Sequence, residues 1–219
     1  MCFLGIVPGL QRIKRLLEIL GNPEKGLKTI HIAGTNGKGT TALIIDNILK
    51  NAGYNVGRFI SPHIDSYLER ITINGQNIDG RIFHGYLMEI ESKANIMLAE
   101  GLQHPTEFEV LTAVALKYFH DCNVDIVVLE VGMGGIYDST NIVIPLLSVI
   151  TSIDYDHQKF LGATLEKIAG NKAGIIKPNI PVIVGKMDNQ ALNVIKKRAN
   201  WCKSPLYSSS SIHITKKNG

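Results

Sequence analysis

The sequence predicts an α/β fold, a mainly parallel sheet with helices on both faces. Two observations carry this. Short apolar runs of strand type alternate with segments of helical periodicity along 219 residues, which is the pattern of repeated βα units. Two of the runs, residues 125–131 and 146–153, have continuous apolar centres, as parallel strands buried on both faces do.

Residues 11–20 carry Ile13, Leu16, Leu17 and Leu20 at helical spacing and stop at Gly21-Asn22-Pro23, so a first helix is expected there. Residues 29–33 read as a short buried strand, 41–52 as a helix closed by Gly53, and 55–60 as a second strand ended by Ser61-Pro62. Residues 69–73 and 74–78 suggest a small hairpin turned at Asn74-Gly75. Helices follow over 81–101 and 106–120. After the two apolar strands come a helix over 164–173, a strand over 180–184 and a last helix over 188–201. In open parallel sheets, ligands bind at the carboxyl ends of the strands. Gly34, Ser61, Glu130 and His157 all fall at or just past predicted ends.

Composition narrows the classes. Hydrophobic residues make up 45% and charged residues 19%, which permits a single core and argues against disorder. A net charge of +4 without a long basic run suits anionic small molecules at least as well as nucleic acid, and no nucleic-acid partner is expected. Cys2, Cys122 and Cys202 lie far apart with no CxxC pair, so neither a zinc ribbon nor a disulfide framework is indicated. A cytoplasmic setting follows as the expectation. No apolar run approaches the roughly 18 to 20 residues that span a bilayer. The first seven residues lack the basic flank of a signal peptide.

A phosphate loop needs several inward-pointing backbone N–H groups, dihedrals that glycine permits, and the positive end of a helix. Gly34-Thr35-Asn36-Gly37-Lys38-Gly39-Thr40, between a strand and a helix, meets these needs. Lys38 would reach the outer phosphates of ATP as a point charge, and Thr40 would offer a hydroxyl to magnesium. The stretch departs from GxxxxGK[ST]: no glycine stands five positions before Gly37, and Gly39 separates Lys38 from Thr40. A plain glycine-rich turn is the competing reading.

Other residues stand out less sharply. Glu130 ends an apolar strand, where a carboxylate is costly unless paired or metal-bound; a solvent-facing strand end is the alternative. Ser61 reads equally as a turn or cap serine. His157 reads as a base or a capped turn residue, and Lys172 as an ordinary helix lysine. Thr106 opens a helix with Glu107 and Glu109 in its first turn, the signature of a cap.

Several separated blocks resemble the Mur-ligase superfamily, and in detail the folylpolyglutamate synthase family, which includes dihydrofolate synthase. They are residues 27–40 with the GTNGKG[ST] form, Ser61-Pro62-His63 with Glu69-Arg70-Ile71, and Thr106-Glu107-Phe108-Glu109. Residues 129–135 with Asp138-Ser139-Thr140-Asn141, Asp156-His157, Leu161-Gly162 and residues 172–177 follow in order. The resemblance implies a P-loop NTPase-like fold, that of the Mur ligase central domain. It implies ATP and magnesium as cofactors and a ligase that joins glutamate to dihydropteroate or a folate through an acyl phosphate. It assigns magnesium to Ser61, Glu130 and His157, and carbamylation by carbon dioxide to Lys172. Lys38, Lys172 and His157 become catalytic. Thr106, Glu107, Phe108 and Glu109, with Tyr137, Asp138 and Ser139, become the acceptor pocket. The partners are then small molecules, with no membrane, and the protein a monomer.

Three departures matter. Ile136 stands where the family has an arginine, and Asn171 where it has a glutamate before the key lysine. The third is length: residues 1–204 would form the ATP-binding domain and 205–219 the start of a linker or a truncated continuation, with the family's C-terminal ligase domain absent. A helix usual before a segment like residues 5–10 is also missing. A weakly active or inactive chain is therefore expected. A degenerate, non-catalytic nucleotide-binding module, or another Mur-type amino-acid ligase, is the alternative.

Overall fold

The computed structural model describes residues 7–209. The amino-terminal residues 1–6 and most of the serine-rich tail at 208–219 lie outside the described residues. Eight strands form one sheet: β1 Thr29–Ala33, β2 Val56–Phe59, β3 Ile71–Ile73, β4 Gln76–Asn77, β5 Ile126–Glu130, β6 Leu147–Ile150, β7 Val182–Val184 and β8 Leu206–Ser208. Their spatial order is β4-β3-β2-β5-β1-β6-β7-β8. All neighbours from β2 to β8 run parallel, while β3 and β4 add antiparallel at one edge.

Among the described residues there are seven α-helices, α1 before the first strand and the rest between strands: α1 Gln11–Ile19, α2 Lys38–Asn51, α3 Gly80–Ala99, α4 Glu107–Asp121, α5 Gln158–Leu161, α6 Leu165–Lys172 and α7 Asn189–Trp201. Strand side chains alternate between faces, and the three core clusters follow that alternation. Phe59, Val127 and Leu129 pack with α1, α3 and α4. On the same face Ile150, Val182 and Val184 pack with α6 and α7. The alternate residues Ile30, Ile32 and Val128 turn to the other face and meet Ala42 of α2. There the buried Asp46 of α2 also pairs with Arg58 of β2, at 3.4 Å.

The helices thus cover both faces, as the apolar strands required. The hairpin turns at Asn74-Gly75, both with positive φ, the type I′ geometry that Asn-Gly favours. It is welded to β2 through β3 rather than standing apart. α2 begins at Lys38, three residues before its predicted start, because Gly37 in the left-handed region caps it. Gly39 hid this start, since glycine lowers helix propensity. β8 adds a strand after residue 204; three residues, Leu206, Tyr207 and Ser208, carry too little pattern to be seen.

Gly57 of β2 faces α4, and a Cβ there would stand 2.8 Å from the buried ring of Phe119. Gly57→Ala is expected to cost about 2–3 kcal/mol by overpacking, read as a lower urea midpoint with an unchanged m-value.

Candidate nucleotide and acceptor site

The central strands in order β2, β5, β1, β6 end on one rim of the sheet. Gly34 follows β1, Ser61 lies just past β2, Glu130 closes β5, and His157 lies in the segment after β6. The rule about strand ends therefore gathers all four to that rim.

The glycine-rich loop is latched to the end of β6. Thr35 N–H donates to the Ser152 carbonyl at 2.9 Å, and Asn36 N–H to Ser152 Oγ at 3.0 Å. Thr151 Oγ1 donates back to the Asn36 carbonyl at 2.7 Å. The amides of Thr35 and Asn36 are thus spent inside the protein. The amides of Lys38, Gly39 and Thr40, in the first turn of α2, have no partner within the helix, so the loop's free donors lie toward the helix start. Gly34 tolerates no side chain, because a Cβ would lie 1.9 Å from Thr151 Oγ1.

Behind the loop sits Lys172, 2% exposed, whose Nζ donates to the Gly34 carbonyl at 2.8 Å. Burial first, then the neighbouring Lys38 charge, pushes its pKa down to about 8. Glu130 is also buried; its Oε2 accepts from Ser61 N–H at 3.3 Å and would stand 3.5 Å from a Gly39 Cβ. Burial raises its pKa, opposed by the Ser61 amide and the charges of Lys38 and Arg58.

A cavity of about 590 Å³ opens beside the loop. Of the predicted residues it is lined by Thr35, Lys38, Ser61, Thr106, Glu107, Phe108, Glu109, Tyr137, Asp138, Ser139 and His157. Gly34, Asn36, Gly37, Gly39, Thr40, Glu130 and Lys172 do not line it; they stand at or behind its loop rim. His157 caps α5 with a left-handed backbone, φ 43°, a strained state for a non-glycine residue. Its ring is more than half exposed, 3.4 Å from Asp156.

The cap reading of residues 106–109 holds. Thr106 and Glu109 form a reciprocal capping box, and Glu109 is buried against Arg12 at 3.0 Å. Glu107 instead accepts from Tyr67 Oη at 2.7 Å. Phe108 packs on Phe59 with ring centroids 5.7 Å apart, and a Cβ on Gly132 would strike it at 2.5 Å. These two leave a flat apolar wall. Asp138 turns its carboxylate inward: Oδ2 accepts from Met133 N–H at 2.8 Å and Oδ1 from Thr140 N–H at 3.0 Å. Ser139 is likewise held, 2.6 Å from Thr112 Oγ1.

Sequence reasoning gave Arg70 no role, yet it lines the cavity. Its Nε donates to His63 Nδ1 at 2.9 Å and its guanidinium lies 5.3 Å from the centre of the Tyr67 ring. The signal was its place in the Glu69-Arg70-Ile71 block, just before β3. Asn171 also faces the cavity, whereas Ile136 does not line it and packs against Gly174.

A mostly parallel sheet with a glycine-rich loop at its carboxyl rim, beside a cavity with an apolar wall, is the architecture of a Mur-type middle domain. The chain belongs to the Mur ligase middle domain family, whose pattern it matches over residues 32–217. It is 45% identical over 205 residues to the dihydrofolate synthase/folylpolyglutamate synthase of Bacillus subtilis, covering 93% of this chain and 48% of that one. A solved FPGS–AMPPCP–folate complex superposes with a TM-score of 0.91 at 37% identity, over 94% of this chain and 51% of that one. The folylpolyglutamate synthase of Thermotoga maritima gives 0.87 at 43%, over 93% and 47%. The chain spans about half the length of the curated relatives it matches. Among the described residues, no helix is long and apolar enough to cross a membrane.

Lys172 yields a test of its own. Its folded pKa lies below the 10.5 of an unperturbed lysine, so the unfolded chain holds more protons between about pH 8 and 10.5 and stability rises with pH there. Lys172→Met removes the buried charge. It also leaves the Gly34 carbonyl without its donor, so it is expected to flatten that rise while stability at pH 7 changes by no more than about 1 kcal/mol, as thermal melts across this range would report.

Proposed function

We propose that the chain is the nucleotide-binding part of a folylpolyglutamate or dihydrofolate synthase, working as a cytoplasmic monomer. The observation that carries this is the single cavity shared by Lys38 of the phosphate loop and the Phe108–Gly132 wall. Donor phosphate and a flat aromatic acceptor would meet there. In the reaction, ATP phosphorylates the acceptor carboxylate, the amine of glutamate attacks the acyl phosphate, and an amide forms as phosphate leaves. Such chemistry needs charge neutralisation and positioning rather than a covalent enzyme intermediate.

The α2 amides and Lys38 would bind the phosphates. The acceptor ring would rest against Phe108 and Gly132, with Arg70 facing its anionic end. Magnesium fits the oxygen donors Ser61 and Glu130, the latter a buried carboxylate with an amide and a nearby lysine as its neighbours. Among the described residues no three His, Cys, Asp or Glu side chains cluster as a metal site. That suits an ion held by one carboxylate together with phosphate oxygens. Bound there, it would offset the charge of the transferring phosphoryl group, with His157 toward a second ion. The pKa of Lys172, lowered to about 8, raises the share of the neutral amine that carbon dioxide needs to form a carbamate.

Lys38→Ala is expected to weaken ATP binding about 10- to 100-fold, the scale of a lost charge-assisted contact, while pteroate binding changes little; calorimetric titration reads both. In ¹³C-bicarbonate, a carbamate carbon signal should grow as pH rises through about 8 and vanish in Lys172→Met. Amide formation from ATP, dihydropteroate and glutamate by these 219 residues alone is expected to be slight. Absence of either ATP or pteroate binding would sink this reading.

A further inference from the structure

His31 sits in the middle of β1, fully buried, on the face where the two larger core clusters meet. Its Nε2 lies 2.9 Å from Thr140 Oγ1, which also bonds Asp138 Oδ1. Asp138 in turn receives the backbone N–H groups of Met133 and Thr140. Burial raises the Asp138 pKa, opposed by the amides of Met133, Thr140 and Gly132 and by the Thr140 hydroxyl; with these donors aimed at it the carboxylate is the acceptor, and it takes the one proton of the threonine hydroxyl. The imidazole must therefore donate to Thr140 from Nε2–H, which makes Nδ1 the unprotonated nitrogen. Nδ1 is buried without a hydrogen-bond partner. An unmet buried acceptor destabilises a fold, and Leu129, the register partner of His31 on β5 and buried on the same face, shows that an aliphatic side chain suits this layer. A histidine here does something leucine would not: it feeds a proton into the loop that carries Met133, Tyr137, Asp138 and Ser139, all of which line the cavity.

We propose that His31 is a positioning residue for the acceptor wall, acting through the Thr140 hydroxyl on the Asp138 carboxylate that clamps residues 132–140. The acceptor part of this rests on the proposed function; the clamp itself does not. The test uses the chain with His31→Leu, His31→Gln and Thr140→Val, since a glutamine amide can keep a donor near the Nε2 position. His31→Leu is expected to speed hydrogen exchange at the Met133 and Thr140 amides at least about tenfold, with α7 amides unchanged. It should weaken pteroate binding about tenfold and leave ATP binding within about twofold, while His31→Gln recovers most of both losses. ¹⁵N–¹H correlation should report the Nε2–H tautomer.

Unchanged exchange in His31→Leu, a glutamine no better than leucine, or a loss of ATP affinity in step with pteroate would overturn the proposal. If His31→Leu does not fold, Thr140→Val is read in its place, with the same exchange and affinity outcomes deciding. If the unsubstituted chain binds no pteroate, the proposed function fails, and exchange with the tautomer decides the clamp.

Discussion

A buried ammonium holds the site in shape. Lys172 reaches from the end of α6 to the carbonyl of Gly34, so the helix on one side of the sheet grips the turn that launches α2 on the other. A cation in that place is tolerated only because it is bonded, and its proton is held loosely. The same contact forces close approach: Gly34 cannot carry a side chain against Thr151, and Gly135 cannot against the backbone of Asn171 and Lys172. Phosphate loop, β6 end and the loop after β5 are thereby fixed relative to one another before any ligand arrives.

Around this contact the site divides by chemistry. On the loop side the protein offers unpaired amides, Lys38 and a buried carboxylate, all suited to phosphate and a hard cation. On the other side it offers Phe108 over Gly132, with Arg70 at the margin. Several residues that line the cavity spend their polar groups on the fold instead. Glu109 closes a capping box and pairs with Arg12, and Asp138 clamps its own loop. Lining a cavity and contacting a ligand are separate properties, and hydrogen-bond accounting tells them apart.

The two departures from the family blocks fare differently. Asn171 faces the cavity and its side chain fills the space beside Gly134. Ile136 packs on Gly174 and does not line the cavity, so the arginine expected there has no counterpart in its wall. Arg70, at the end of the short 3-10 turn before β3, presents its guanidinium to the cavity instead.

The sequence by itself determined the class of fold and the address of the site. Continuous apolar strands such as β5 must be buried on both faces, and strand–glycine–helix order puts a loop at a strand's carboxyl end. Both are local consequences of period and dihedral preference, and so are legible in one dimension. Only the tertiary structure decided which donors remain free and which side chains are spent. That Thr35 and Asn36 give their amides to Ser152, that Lys172 is buried rather than a surface lysine, and that His31 meets Thr140 are contacts across more than a hundred residues. β8 and the place of Arg70 belong with them: a three-residue strand and a lone cation carry no period, and only neighbours distant in sequence give them a role.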